Sequence, residues 1–412
     1  MKKVLIITQN FYPEIGSAAN RITNIYNELK DKGYDVTILT TEPSYPNRNL
    51  YKDTDFWNDQ GQMNDVVRIH TNTRRYTSSI FNRLLLYLEV ALKFILKIKK
   101  MNTKYDFVFV STPPIFVGLA GLFAKHKFSS KLILDVRDLW PESLLGVGVF
   151  TNKFVLKLAF ALEMFLYKKA DHIIVNSEGF ISYIAAKGIH KKRIQFMPNS
   201  LTEAELNSSL LQGANDKIEV IYTGNIGLAQ DISKLIEVAE LLKSYTFIRF
   251  KVIGYGYKRS ELKQLIEEKG LQNIVFLKAL NRKNALKEVA SSHIAYVSLV
   301  EETVFKKVLP GKIIDYMSMG KPIVGDVSGY AKEVIEKAQC GLTSNDRSVE
   351  ILAQQIVKLA NDAVLREEYG RNGHRFAFEN LRWKKNINVL INMLEERNES
   401  ESMHVRMEPL HK

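Results

Sequence analysis

One cysteine, Cys340, stands in a chain of 412 residues, so no intramolecular disulfide braces it and no thiolate cage holds a metal. Histidine is scarce as well: there are 8, and none falls within the chemical motifs described below. Residues 79–100 come nearest to a long apolar run, but Arg83, Glu89, Lys93 and Lys97 interrupt every window of 18, which excludes a convincing membrane span. The opening MKKVLIITQN has the charged start of a secretory leader, yet its apolar run stops at Gln9-Asn10 and reads as a first buried strand. An interleaved aromatic–basic repeat is also missing, which argues against nucleic acid as a partner. These absences point to a reducing, cytoplasmic setting, with no cofactor and no metal expected.

The composition itself is ordinary, 46% apolar and 25% charged. The length exceeds one core and suggests two domains. Net charge is +13, carried very unevenly: residues 1–200 hold 28 Lys and Arg against 17 Asp and Glu, and residues 201–412 hold 30 against 28. A basic first half calls for an acidic counterpart: a phosphate-bearing substrate, nucleic acid or an anionic membrane surface. The segment 79–104, with Lys93, Lys97, Lys99, Lys100 and Lys104 beside bulky apolar residues, reads as a packed domain helix or as a face that dips into a membrane interface. The charge of the first half favours the membrane.

Short runs rich in Val and Ile alternate with amphipathic segments, first over 4–197 and again over 219–326. That pattern predicts an α/β fold with two doubly wound, Rossmann-like domains whose parallel sheets face each other across a cleft. The expected division is 1–200, 201–380, a helix over 381–398 packing back towards the first domain, and a disordered tail over 399–412.

Several stretches carry chemistry. In VLPGKIIDYMSMGKPIV (308–324), Pro310-Gly311 opens a short helix and Lys312 sits in its first turn, where the helix dipole disfavours a cation. A bound anion resolves the conflict: the free amides of Gly311, Lys312 and Ile313 together with the Lys312 charge suit a diphosphate. Asp315, one turn on, can accept two hydrogen bonds from vicinal hydroxyls; the plainer reading is an i,i+3 ion pair with Lys312. Gly16 follows the first strand at a helix start, and Thr223-Gly224-Asn225 with Gln230 opens the second half in the same manner. Arg137 and Asp138 cluster with Asp135 and Glu142 where a buried strand ends, a position that faces the cleft in parallel sheets. Gly254-Tyr-Gly256 lacks the third glycine of a dinucleotide fingerprint, with Arg259 in its place. Asp53-Thr-Asp55 has the spacing of a metal-holding D-x-D but lies in a polar loop and reads as solvated.

Tyr12-Pro-Glu-Ile-Gly16, Pro198-Asn-Ser200, Gly224-Asn-Ile-Gly227, Ile253-Gly-Tyr-Gly256 and Tyr316-Met-Ser-Met-Gly-Lys-Pro322, in this order, resemble the retaining glycosyltransferases of family 4, which have the GT-B fold. The resemblance runs from the first strand to the C-terminal helix. It is nearest to enzymes of O-antigen and capsule assembly, some of which transfer N-acetylfucosamine. It implies a metal-independent hexosyltransferase taking a UDP-sugar and a lipid-diphosphate-linked saccharide acceptor, peripheral to the inner face of the cell membrane. It also implies roles: Gly16, Gly224, Asn225, Gln230, Gly311, Lys312 and Ile313 around the donor, Asp315 on the ribose, Leu280 near the base, and Arg137 and Asp138 at the transferred sugar. The family's E-x7-E element would place acids at 307 and 315, but Lys307 replaces the first. A UDP-sugar epimerase of the same fold and a non-enzymatic basic membrane- or nucleic-acid-binding protein are the alternatives.

Overall fold

The structure, a computed structural model, describes residues 1–57, 63–72, 80–148, 152–207 and 216–395. The tail expected to be disordered lies outside the described residues. Seven strands form the first sheet: β1 (Lys3–Ile7), β2 (Asp35–Thr41), β3 (Val66–Ile69), β4 (Phe107–Thr112), β5 (Lys131–Val136), β6 (His172–Val175) and β7 (Ile194–Phe196). They are parallel and ordered β3-β2-β1-β4-β5-β6-β7. The second sheet holds β8 (Ile218–Asn225), β9 (Ile248–Tyr255), β10 (Ile274–Leu277), β11 (Ile294–Ser298), β12 (Ile323–Asp326) and β13 (Gly341–Thr343), ordered β10-β9-β8-β11-β12-β13 and likewise parallel.

Sequence explains the parallel arrangement. Val4, Leu5, Ile6 and Ile7 are all fully buried, which requires helices on both faces of the sheet. Val4 pairs with Val36 on one side and Phe107 on the other, so the central strand has apolar neighbours in both directions. Strand order reverses between β1 and β4 and again between β8 and β11. Ligand crevices of doubly wound sheets lie outside the carboxyl ends at such switch points.

The chain crosses between domains twice, and the crossings are stitched together. Leu201 N donates to Leu381 O at 2.8 Å and Trp383 N to Leu201 O at 3.0 Å. Beyond them the helices Trp383–Asn386 and Asn388–Glu395 return to the first domain, where Trp383, Ile387, Leu390 and Leu394 join the core of Ile22, Ile25 and Val36.

On the helix Ile80–Lys100, Glu89 pairs with Lys93 at 2.8 Å and accepts from Asn72 N, and Lys93 donates to His70 O, while Lys97 and Lys100 are exposed. Leu86, Val90, Phe94 and Ile98 fill the core, which leaves Leu88, Leu92 and Leu96 exposed.

One ion pair holds the first domain to the linker. Arg21, in the helix Ser17–Asp31, and Asp135, at the end of β5, are both fully buried. Arg21 Nη2 lies 2.8 Å from Asp135 Oδ1, and Nη1 donates to Met197 O (2.9 Å) and Asn199 Oδ1 (3.3 Å). Asp135 also accepts from Ser111 Oγ at 2.8 Å. Asp135→Asn leaves a buried guanidinium uncompensated and should destabilise the first domain by about 3–5 kcal/mol. Urea unfolding checks this; a change below about 1 kcal/mol, the scale of an exposed pair, would show that the surrounding carbonyls suffice.

Candidate functional site

The helix Gly311–Ser318 starts in the crevice. A Cβ built on Gly311 would lie 3.0 Å from Ser17 Oγ of the first domain, and that oxygen accepts from Asn199 Nδ2 of the linker at 3.1 Å. Pro310 precedes the helix and supplies no side-chain cap. Gly311 N and Lys312 N have no hydrogen-bond partner among the described residues, but Ile313 N donates to Pro310 O at 3.0 Å. The expected trio of free amides is therefore a pair, and the Ile313 side chain is core.

Lys312 is the unusual group. Its ammonium is buried and unpartnered, 3.7 Å from the centroid of the Tyr222 ring. Burial pushes its pKa down to about 7, with Asp315 acting in the opposite direction. Gly224 stands beside it: a Cβ there would lie 3.7 Å from Lys312 Cε and 3.9 Å from Nζ, and φ is 112°. A glycine fits both the backbone and the space. The alternative ion pair between Lys312 and Asp315 does not form. Asp315 Oδ1 instead accepts from Arg282 Nη2 at 2.8 Å, and Arg282 Nε donates to Glu205 Oε1 at 2.7 Å.

The turn after β8 is locked into place. Tyr222 Oη donates to Asn225 O at 2.6 Å, and Gln230 Oε1 accepts from Gly227 N at 3.1 Å. Asn225 Oδ1 accepts from Tyr45 Oη of the first domain at 3.2 Å. The side-chain oxygens of Asn225 and Gln230 are thus committed within the protein. Leu280 packs half-buried against the core, and its neighbour Asn281 donates to Asp55 O across the crevice at 3.1 Å. Asp53 accepts from Asp55 N within the polar loop.

Across from this turn, Gly16 has φ 127°, and a Cβ on it would lie 3.0 Å from Tyr255 Oη. Tyr255 Oη donates to Ile15 O at 3.3 Å, and its ring meets Tyr45 edge-on at 5.4 Å. Glu14 holds the Tyr45 segment through Ser44 N (2.6 Å) and Tyr45 N (3.0 Å); burial raises its pKa to about 7.

Arg137 stands 3.9 Å from Asp135, and its charge acts on Asp138 against the effect of burial. Arg137 donates to Ser111 Oγ (2.7 Å) and Pro113 O (2.8 Å), and Asp138 accepts from Ser143 Oγ at 2.9 Å, with burial raising its pKa. The segment that follows faces the second domain, where Gly146 lies against Val304 and Phe305. Lys307, in place of the family acid, lies over the Tyr183 ring at 5.0 Å, and its carbonyl accepts from Ser177 Oγ. Among the described residues no three His, Cys, Asp or Glu side chains converge as a metal site.

Sequence reasoning missed Arg282, Tyr45, Tyr255 and Glu14. Arg282 carried the same signal as Lys312, a cation in the first turn of a helix. The tyrosines carried none, because their meeting depends on how the two domains face each other. The whole arrangement offers an anion site at Lys312 and two amides, a carboxylate one turn away, and an aromatic wall opposite.

Residues 16–200 match the profile of the glycosyl transferase 4-like domain, and residues 209–376 that of the glycosyl transferases group 1. An uncharacterized glycosyltransferase of Methanocaldococcus jannaschii is 26% identical, with 94% of this chain and 97% of that protein covered. A putative colanic acid biosynthesis glycosyl transferase of Escherichia coli, WcaI, is 21% identical over 80% of this chain and 84% of its own. Among solved structures, HepE of Anabaena in complex with UDP and glucose superposes with a TM-score of 0.72 at 14% identity, covering 96% of this chain and 100% of that one. The chain belongs to the glycosyltransferases, a glycosyl transferase 4-like domain followed by a group 1 domain on the GT-B fold.

Proposed function

We propose that the chain transfers a sugar, with retention and without a metal, from a UDP-sugar to a lipid-diphosphate-linked saccharide in capsule or O-antigen assembly. An N-acetylated amino sugar such as N-acetylfucosamine is the donor sugar favoured by the resemblance at 223–231 and 309–312. One observation carries the donor reading: the buried, unpartnered ammonium of Lys312 at a helix start with two free amides. A buried cation that has a ring face, Tyr222, but no counter-ion gains from the arrival of an anion. A diphosphate supplies that anion, and the UDP in the HepE complex gives the analogy. As the glycosidic bond to phosphate breaks, charge gathers on the leaving group, and fixed positive groups lower that barrier. The leaving phosphate, on the donor's front face, takes the acceptor's proton, so no side chain is assigned as base. The WcaI likeness supports a polysaccharide pathway.

The acceptor's lipid places the reaction at an anionic membrane. No helix among the described residues is long and apolar enough to cross one. The helices Ile80–Lys100 and Lys153–Lys169 flank Val117–Phe128 in one layer. Leu92 is 61% exposed on the first, and Phe154 and Leu158 are 69% and 56% exposed on the second. Lys97, Lys99, Lys100, Lys153, Lys157, Lys168 and Lys169 flank these stripes. The layer's acids are spoken for: Glu89 binds Lys93, and buried Glu163 binds Lys187. Apolar stripes rimmed by lysines suit insertion into an anionic leaflet.

Lys312→Ala should weaken UDP binding roughly 10- to 100-fold, the value of a charge-assisted hydrogen bond, and Lys307→Ala by less than about threefold. Calorimetry with UDP decides; equal losses would displace the diphosphate from the helix start. Lys312 is charged below about pH 7 in the free chain, and a bound diphosphate raises its pKa. Affinity for a UDP-sugar, whose diphosphate does not titrate here, should be flat at lower pH. It should fall by up to about tenfold per unit as pH rises above 7. Lys312→Met should flatten the profile; an unchanged slope would assign it to another group. Leu92→Glu with Leu158→Glu should abolish co-sedimentation with anionic vesicles and leave the UDP-induced thermal shift intact. Undiminished sedimentation would exclude these stripes.

A further inference from the structure

Arg282 is a second cation at a helix start, and the donor reading through Lys312 makes no use of it. It is the first residue of the helix Arg282–Ser291, where the dipole is unfavourable to it, yet it bridges two carboxylates. Burial works against its charge, but Asp315 and then Glu205 outweigh that and raise its pKa. We propose that Arg282 is a positioning residue that fixes Asp315 for the ribose hydroxyls. In doing so it makes the crevice select ribonucleoside diphosphate sugars over their 2′-deoxyribonucleotide counterparts. The inference rests on the diphosphate lying at Lys312.

Geometry supports each link. Asp315 lies one turn along the helix from Lys312, close enough for its charge to raise the lysine's pKa. Left loose, the carboxylate would swing onto the ammonium as an i,i+3 pair and neutralise both groups. Arg282 prevents this by holding Oδ1 at 2.8 Å. Oδ2 has no hydrogen-bond partner among the described residues, and the Asp315 side chain is 23% exposed, so one carboxylate edge is presented to the crevice. The guanidinium is itself anchored: Nε donates to Glu205 Oε1, and Glu205 Oε2 accepts from Thr202 N (2.8 Å) and Thr202 Oγ1 (3.1 Å) in the linker. A planar fork clamped at both ends fixes the carboxylate plane in a way that an ammonium could not.

Charge balance gives the ligand class. Two carboxylates share one guanidinium, so the group keeps a net negative charge. It repels phosphate, which stays with Lys312, and favours neutral hydroxyl donors. A ribose offers a vicinal pair one sugar away from the diphosphate; a 2′-deoxyribose offers a single hydroxyl. Sites built to hydrogen-bond a hydroxyl reject analogues that lack it, because a buried acceptor is then left unpaired.

The test is calorimetric binding of UDP and 2′-deoxy-UDP to the full chain, native and carrying Arg282→Ala, Arg282→Lys or Lys312→Ala. The native chain should prefer UDP by roughly 10- to 100-fold. Arg282→Ala should collapse that ratio to about threefold or less by weakening UDP alone, and Arg282→Lys should recover part of it. Lys312→Ala should weaken both ligands and keep the ratio. A native chain that binds both equally, or an Arg282→Ala chain that weakens both equally, would overturn the inference while leaving the diphosphate site standing. Failure of the native chain to bind either ligand would overturn the Lys312 reading, and this inference with it. If Arg282→Ala does not fold, Glu205→Gln loosens the arginine without touching Asp315. It should lower the ratio at least about threefold, and an unchanged ratio would count against Arg282.

Discussion

A single guanidinium, that of Arg21, ties the first domain to the linker and to the returning C-terminal helices. It meets Asp135 at the end of β5 and reaches Met197 O and Asn199 in the linker, and Trp383 of the returning C-terminal helices lies over it at 5.8 Å. Asn199 in turn donates to Ser17 Oγ, the atom that faces Gly311. Strand, helix, linker and C-terminal helices are thus referred to one buried charge. A buried pair contributes little net stability over an apolar equivalent. What it can supply is direction, since five planar donors fix where each partner must stand.

The same economy governs the crevice. The domains meet where side chains are missing: Gly179 lies against the Lys307 backbone, Gly146 against Val304, and Gly311 against Ser17. Close backbone contact excludes water, and exclusion of water is what makes Lys312 both unfavourable and useful. A surface lysine would bind phosphate weakly through a screened charge. A desolvated one, with amides beside it and a carboxylate held off by Arg282, offers an anion what the fold itself does not provide.

Much of this was legible in the sequence, for identifiable reasons. Runs such as Val4–Ile7 can only be buried on both faces, so the doubly wound sheets followed from composition and length. Lys312 was legible because a cation in a first turn violates a local rule. Arg282 violated the same rule and was passed over, since its partners, Glu205 and Asp315, are 77 and 33 residues away in the chain. Arg137 and Asp138 were read as a strand-end cluster with Asp135 and Glu142, but which hydroxyl each would meet, Ser111 for one and Ser143 for the other, depended on tertiary placement. Tyr45, Tyr255 and Glu14 meet only through tertiary placement, which no local pattern encodes.

Lys312 has one more property that follows from its surroundings. An amine whose pKa lies near neutrality spends much of its time unprotonated, and the free base is a nucleophile. Lys321 is displaced in the same direction, by burial to about 8. On the donor reading, the desolvation that readies Lys312 for an anion is also what makes its charge conditional on pH.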